Sequence, residues 1–177
     1  ISSLTVNSNL LVISDWNSDE ISVYQIPEMT LLVKVPTLNT NCTCHSIETT
    51  SVNGLDIVYL GYDDGKVQLF VLDQNVLIEN TLINAGTQPV SLKKHPLFAD
   101  SVVVCSDKPL LISYKSTGNI EYKRINFKNL VDLTATKNDN TDSLWISDKG
   151  TISFCTFESQ KMTVVSVPLN ATLKRLA

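Results

Sequence analysis

The residues whose types and spacing best suit chemistry are the cysteines and histidine of the run Cys42-Thr43-Cys44-His45. Thiolate and imidazole are ligands that zinc prefers, so the run suggests a metal site. Structural zinc usually needs a second ligand pair at a suitable distance, and the sequence offers none. We therefore favour a strand with alternating faces, with Cys42, Cys44 and Ser46 on one side and Thr43, His45 and Ile47 on the other. No metal or cofactor is predicted.

Four aspartates at regular intervals are the second candidate for chemistry. They are Asp15, Asp63, Asp107 and Asp148, which are 48, 44 and 41 residues apart. Paired carboxylates could act as an acid and a base, but each of these residues lies between two apolar segments. Aspartate at such a turn accepts hydrogen bonds from local backbone N–H groups. We interpret the four aspartates as turn caps.

Other signs of catalysis are nearly absent. The chain has only two histidines, His45 and His95, and six glycines, and it contains no nucleophile elbow, zinc-protease motif or phosphate-binding glycine loop. We predict that the protein is not an enzyme. A hydrolase with a site in the central channel of a propeller is a distant alternative. It would need polar residues that converge on the inner strands, and we expect those strands to be apolar.

The elements that carry these aspartates form a fourfold repeat. In each copy an apolar strand ends in a Ser/Asp-type turn and a second apolar strand follows, at residues 11–26, 57–72, 102–115 and 143–157. A period in the forties with several short strands per unit is typical of a β-propeller. We predict an all-β fold without helices, in which about four blades of four antiparallel strands form a partial β-propeller over residues 1–177. The blades cover approximately residues 1–40, 41–87, 88–128 and 129–177.

The number of blades bears on how the ring closes. Four blades are at the low end for a closed propeller, and an open arc would expose two apolar blade faces. We therefore expect an arc of a larger, seven-bladed ring, and an internal piece of a longer polypeptide, since the chain lacks an initiator Met. The first unit has no clear outer strand unless residues 4–6 provide it.

Composition excludes some classes of partner. The net charge is −4, and no basic cluster exceeds Lys93-Lys94 or Lys174-Arg175, which argues against direct binding of nucleic acid by this segment. No apolar run approaches the roughly 20 residues that span a bilayer, so no membrane association is predicted. Cys105 and Cys155 lie in apolar strands, and we expect both to be buried and reduced.

Trp16 departs from the repeat. It occupies the first turn, between Asp15 and the polar run Asn17-Ser18-Asp19, where a large apolar side chain is unexpected. Trp is enriched at interface hot spots, and an aromatic residue on a scaffold loop is a candidate for binding. Two interpretations stay open, since the side chain could bind a partner or fold back over its own blade.

A succession of short motifs in the third and fourth units points to a known family. They are Gly86-Thr87-Gln88-Pro89-Val90, Cys105-Ser106-Asp107-Lys108-Pro109, Asn126-Phe127-Lys128-Asn129, Asp142-Ser143-Leu144, Gln160-Lys161-Met162 and Val165-Ser166-Val167-Pro168-Leu169. Their order and spacing resemble the DNA damage-binding protein 1 family. Its wider superfamily contains the large cleavage and polyadenylation factor subunit and a splicing-factor 3b subunit.

The resemblance implies a scaffold role. It would make the segment the latter part of the second of three propellers, which docks the N-terminal region of a cullin, while the other propellers hold substrate receptors. The family has a Trp at the first turn on the cullin-binding side, which implies protein binding by Trp16, with Asn17, Ser18 and Asp19 as neighbours.

The function implied is a non-enzymatic adaptor of a cullin-RING ubiquitin ligase linked to the DNA damage response, DNA repair and chromatin. It would act in the nucleus, with the cytoplasm as a second location. The alternative is a scaffold subunit of an RNA-processing complex, either splicing factor 3b or the cleavage and polyadenylation factor.

Overall fold

The computed structural model describes residues 2–7, 9–15, 19–37, 42–95, 98–125, 130–138, 141–148, 151–158 and 161–168. In these residues the chain forms sixteen β-strands and no helix. Blade one contains β1 (Ser3–Asn7), β2 (Leu10–Ser14), β3 (Glu20–Gln25) and β4 (Thr30–Pro36). Blade two contains β5 (Cys44–Val52), β6 (Leu55–Tyr62), β7 (Lys66–Asp73) and β8 (Val76–Asn84).

The other two blades repeat this arrangement. Blade three contains β9 (Ser91–Lys94), β10 (Ser101–Cys105), β11 (Leu110–Tyr114) and β12 (Ile120–Arg124). Blade four contains β13 (Leu130–Asn138), β14 (Thr141–Asp148), β15 (Thr151–Glu158) and β16 (Lys161–Pro168). Every sheet keeps its strands in chain order with antiparallel neighbours, which confirms the predicted all-β propeller of four-stranded blades.

The first strand of each blade is the inner one. β5 contacts both β1 and β9, and β9 contacts β13, so the first strands of successive blades lie side by side. Residues 4–6 therefore belong to the inner strand of blade one, and β4 is its outer strand. The suggestion that residues 4–6 would provide the outer strand of blade one was wrong, because β4, which follows the break at Pro27, pairs with β3 and takes that place.

The core lies between the blades. Along β6, Val58 and Leu60 face a cluster shared with blade one, whereas Ile57 and Tyr59 face a cluster shared with blade three. Burial of one large apolar side chain contributes about 1.5–3 kcal/mol, so these two layers stabilise the stack. A third cluster joins Val103 and Cys105 of blade three to blade four. Strands that are apolar on both faces therefore pack against two neighbouring blades, as predicted.

A β-bulge changes the alternation predicted for residues 42–47. The pairing of β5 with β6 shifts between Cys44 and Ser46. As a result Cys44 and Ile47 both pack in the cluster shared with blade one, whereas His45 is exposed. The predicted assignment of Cys44 and Ile47 to opposite faces was wrong, because one extra residue in a strand reverses its alternation.

Two further expectations concern exposed and buried apolar residues. Leu4 and Val6 on β1 are 54% and 56% exposed, on the face of blade one turned away from blade two, as expected for the terminal blade of an arc. Cys105 is buried and free, as predicted. The side chain of Cys155 lies outside the described residues. No helix that could cross a membrane occurs in the part of the chain that the structure describes.

Candidate protein-binding site

One rim of the propeller collects the turns that the sequence singled out. Asp15, Asp63 and Asp107 each follow the second strand of their blade, and Asp148 ends the second strand of blade four. Because consecutive strands are antiparallel, these turns lie at the same end of the blades as the connections from one blade to the next. We call this edge the turn rim.

The first turn of the rim is the candidate site. Asp15 and Asp19 are exposed at its two ends, whereas Trp16, Asn17 and Ser18 lie outside the described residues. The carbonyl oxygen of Asp19 accepts hydrogen bonds from the Thr37 amide at 2.5 Å and the Thr37 hydroxyl at 3.0 Å. Thr37 directly follows β4, so the connection to blade two fixes one base of the turn.

An ion pair joins the strand that follows this turn to the outer strand of blade one. Glu20, the first residue of β3, pairs with Lys34 of β4. The hydrogen bond from Lys34 to Glu20 raises the pKa of the Lys34 ammonium above its ordinary value, and the charge attraction adds to this effect. Both side chains are partly exposed, so the pair contributes little to stability and mainly places charge beside the turn.

The second turn gathers Cys42, Asp63 and Asp64, whose potential ligand atoms all lie within 4.8 Å of one another. The structure therefore does not bring together the run that the sequence suggested, since Cys44 is buried and His45 is exposed. Burial, followed by the hydrogen bond with Asp64, raises the pKa of the Cys42 thiol, which disfavours the thiolate that binds metals. Lys66 already pairs with Asp64.

The aspartates cap the turns in different ways. In blade two Asp64 is a local cap, since the Lys66 amide donates to Asp64 Oδ1 at 3.2 Å. In blade three Asp107 accepts hydrogen bonds from the amide of Thr87 at 3.1 Å and from its hydroxyl at 3.3 Å, across the connection between blades two and three. The Asp148 side chain lies outside the described residues.

Polar side chains also join the inner strands, which sequence analysis missed. Glu48 of β5 accepts hydrogen bonds from the Thr5 hydroxyl of blade one at 3.4 Å and from the Lys94 amide of blade three at 3.3 Å. Ser46 donates to the Val90 carbonyl at 2.8 Å and accepts from the Leu92 amide at 3.1 Å. These bonds satisfy backbone groups on the open edge of the next inner strand.

The same pattern continues towards blade four, where the Lys93 ammonium lies 3.4 Å from the carboxylate of buried Asp132. The expectation of apolar inner strands was therefore wrong. Their polar side chains bond from blade to blade, because unpaired backbone and charged groups on adjacent inner strands need partners. The available sequence signal was the set of polar residues along first strands, such as Ser46, Glu48 and Lys94.

Comparison with known proteins agrees with this architecture. Residues 1–157 match the family model described as the RSE1/DDB1/CPSF1 second beta-propeller. DNA damage-binding protein 1 of Solanum lycopersicum is 26% identical over 175 residues, which cover 96% of this chain and 16% of that protein. DNA damage-binding protein 1a of Arabidopsis thaliana is 25% identical over 174 residues, with the same shares covered. The chain thus spans only a small part of these curated relatives.

A solved structure shows the same fold. The crystal structure of a functionally unknown protein from Desulfotomaculum acetoxidans DSM 771 superposes with a TM-score of 0.68 at 14% sequence identity, over 97% of this chain and 57% of that one. At this identity the similarity concerns the fold alone. The match of the family model over residues 1–157, together with the repeating four-stranded sheets, assigns the chain to a family. The chain belongs to the RSE1/DDB1/CPSF1 second beta-propeller family.

Proposed function

We propose that this propeller segment is a non-enzymatic adaptor that binds the N-terminal region of a cullin through the first turn of the turn rim. Membership of the RSE1/DDB1/CPSF1 propeller family supports a scaffold role. The curated relatives reported above are named DNA damage-binding protein 1, which favours the branch linked to DNA damage. The cullin would connect the adaptor to a RING ubiquitin ligase, and other propellers of the full-length protein would hold substrate receptors.

The observation that carries the site is the length and composition of the first turn. Residues 15–19 separate β2 from β3, whereas residues 63–65 separate the corresponding strands of blade two. The longer turn holds Trp16, and its base is held by the two hydrogen bonds from Thr37 to Asp19. A fixed base limits the entropy lost on binding, and a Trp surrounded by polar residues is the usual composition of an interface hot spot.

A binding measurement with purified proteins tests this site. In the full-length protein, Trp16→Ala should weaken binding of the cullin N-terminal region at least tenfold, because truncation of a hot-spot Trp typically costs about 2 kcal/mol or more. Asn17→Ala, Ser18→Ala and Asp19→Ala should each have smaller effects. Phe98→Ala is the matched control, since Phe98 is an exposed aromatic residue on the opposite rim.

The outcomes test the site assignment and the cullin hypothesis separately. If wild-type protein binds the cullin and Trp16→Ala binds equally well, the site assignment is wrong. If wild-type protein does not bind, the cullin hypothesis is wrong. Thermal unfolding of each variant shows whether a loss of binding reflects a loss of fold.

The RNA-processing alternative is retained because the family model also includes RSE1 and CPSF1. Affinity purification of the full-length protein followed by mass spectrometry distinguishes the two roles. Cullin and RING subunits support the ubiquitin-ligase role, whereas splicing or polyadenylation subunits support the alternative.

We propose nuclear localisation, with a second pool in the cytoplasm, and cell fractionation tests this.

A further inference from the structure

The outer strands of blades two and three each carry exposed apolar side chains on the sheet face turned toward the other blade. Val76 and Ile78 of β8 are 56% and 51% exposed, and Tyr122 of β12 is 64% exposed. These three, with the partly buried Ile120, define what we call the outer groove. It lies on the circumference of the propeller, away from the first turn of the turn rim.

Strand register places the four side chains in one wedge, which is the space between blades two and three. Ile78 pairs with Val71, and Tyr122 pairs with Ile112, and directly paired residues lie on the same face of a sheet. Val71 and Ile112 both belong to the core cluster between blades two and three. The outer groove is therefore the outward continuation of that core, where the blades diverge.

The neighbouring wedge, by contrast, is filled by apolar side chains. Between blades one and two, Leu77 of β8 is buried, and Leu32, Val33 and Val35 of β4 pack against the same cluster. β4 and β8 also contact each other there. At the corresponding level between blades two and three, Val76, Ile78 and Tyr122 stay more than half exposed, so this wedge offers apolar surface to a partner.

The two ends of the outer groove carry opposite charges. Arg124 pairs with the core residue Leu110 and thus lies on the groove face of β12, where it is exposed. No ion pair to Arg124 occurs among the residues that the structure describes. Asp73, which pairs with Val76, is exposed at the other end. Tyr and Arg, together with Trp, are the residue types enriched at interface hot spots.

We propose that the outer groove binds an amphipathic helix of a partner protein, with an acidic residue of that helix paired to Arg124. Two apolar walls favour a helix, because an added strand would use the edge of only one sheet. The helix would place apolar residues at i, i+3 or i+4 and i+7 between Ile78 and Tyr122. This second docking surface is separate from the cullin site proposed above and does not depend on it.

Selection of peptides from a phage-displayed random library on the full-length protein tests the proposal. Selected peptides should show the helical spacing of apolar residues with an Asp or Glu near one end. Their affinity should fall at least tenfold with Ile78→Asp, with Tyr122→Ala and with Arg124→Glu. A peptide with Lys in place of its acidic residue should regain affinity for Arg124→Glu.

The matched control is Leu82→Asp. Leu82 is 48% exposed on the same strand, but it pairs with Gln68 and lies on the opposite face of the blade, so peptide affinity should not change. If Ile78→Asp impairs folding, the more exposed Tyr122→Ala carries the test. Peptides that bind all variants as tightly as wild type overturn the proposal. A photocrosslinker at position 122 that reacts with the same polypeptide or a second copy also overturns it.

Discussion

Asp107 of blade three and Thr87, in the connection from blade two, hold the third turn of the rim against that connection. The Thr87 amide donates to Asp107 Oδ1 at 3.1 Å, and the Thr87 hydroxyl donates to Asp107 Oδ2 at 3.3 Å. Ser106 adds a bond of 2.8 Å to the Ala85 carbonyl. A residue that looks like a local turn cap therefore also joins two blades.

Replacement of Asp107 should destabilise the junction of blades two and three. Asp107→Ala removes the two hydrogen bonds from Thr87 and should lower the free energy of unfolding by about 1–3 kcal/mol, at about 0.5–1.5 kcal/mol for each bond. Urea denaturation of wild type and variant at pH 7 measures the change. Asp63→Ala is the control, because Asp63 is exposed at the equivalent turn, and it should change stability by less than about 0.5 kcal/mol.

The same carboxylate should contribute to acid sensitivity. Burial pushes the pKa of Asp107 upward, but hydrogen bonds from Thr87, Gln88 and its own amide outweigh it and hold the pKa below the ordinary 3.8. Its stabilisation is therefore complete above about pH 3.8 and is lost as pH falls through the lower folded-state value. Asp107→Asn should flatten the decline in stability below pH 4. Identical pH profiles for Asp107→Asn and wild type would contradict this.

Two glycines with similar φ angles should respond differently to an added methyl group. Gly65 has a φ of +86°, and an added Cβ would overlap the carbonyl group of Gly86 and lie 2.8 Å from the Thr87 amide nitrogen. Gly54 has a φ of +81° but has no atom within 4 Å of that position. Gly54→Ala should cost about 1–2 kcal/mol for the left-handed backbone alone.

Gly65→Ala should cost about 3–4 kcal/mol, because backbone atoms of the connection must also move. Chemical denaturation of the two variants in parallel gives the difference between their losses of stability. This difference is the cost of crowding between the second turn and residues 86–87. Equal losses in the two variants would show that this approach relaxes without cost.

How much of this was predictable depends on the range of the interactions. The regular spacing of the four aspartates located the turns between second and third strands, because turn chemistry is local in sequence. The bond from Asp107 to Thr87 and the contacts of Glu48 with Thr5 and Lys94 join different blades, so no local pattern indicates them. The bulge at Cys44–Ser46 was missed because both alternations of that polar run look alike in sequence.

The cysteines should differ in reactivity with iodoacetamide. Burial raises the pKa of Cys44 to about 11 and that of Cys105 to about 12, so at pH 8 no more than roughly 0.1% of either thiol is the reactive thiolate. Cys42 is only half-buried, and we expect it to react first, although burial and Asp64 slow it relative to a free cysteine.

Peptide mass spectrometry after timed labelling resolves each site. Cys44 and Cys105 should react fully only in denaturant, and labelling of Cys42 should accelerate with rising pH. Native labelling of Cys44 at the rate of Cys42 would show that β5 opens locally.

The hydrogen bond between Tyr62 and Gln68 should be worth more than that between Tyr59 and Thr50. The Tyr62 hydroxyl donates to Gln68 Oε1 at 2.5 Å, and both side chains are fully buried. Tyr62→Phe leaves this carbonyl oxygen unsatisfied, which should cost about 1–3 kcal/mol. Tyr59→Phe is the matched control, since Tyr59 is equally buried but its bond to Thr50 is 3.3 Å long. It should cost about 0.5–1.5 kcal/mol.

A double-mutant cycle tests whether the larger loss of stability in Tyr62→Phe comes from the hydrogen bond with Gln68. Because burial raises the pKa of Tyr62, its hydroxyl stays protonated and remains the donor throughout the pH range of folding experiments. The double variant Tyr62→Phe/Gln68→Met removes the unsatisfied acceptor, so it should cost less than the sum of the two single variants. Urea denaturation of the four proteins gives the coupling energy. Strictly additive losses would mean that Gln68 finds another donor, in which case the cost of Tyr62→Phe should fall to that of Tyr59→Phe.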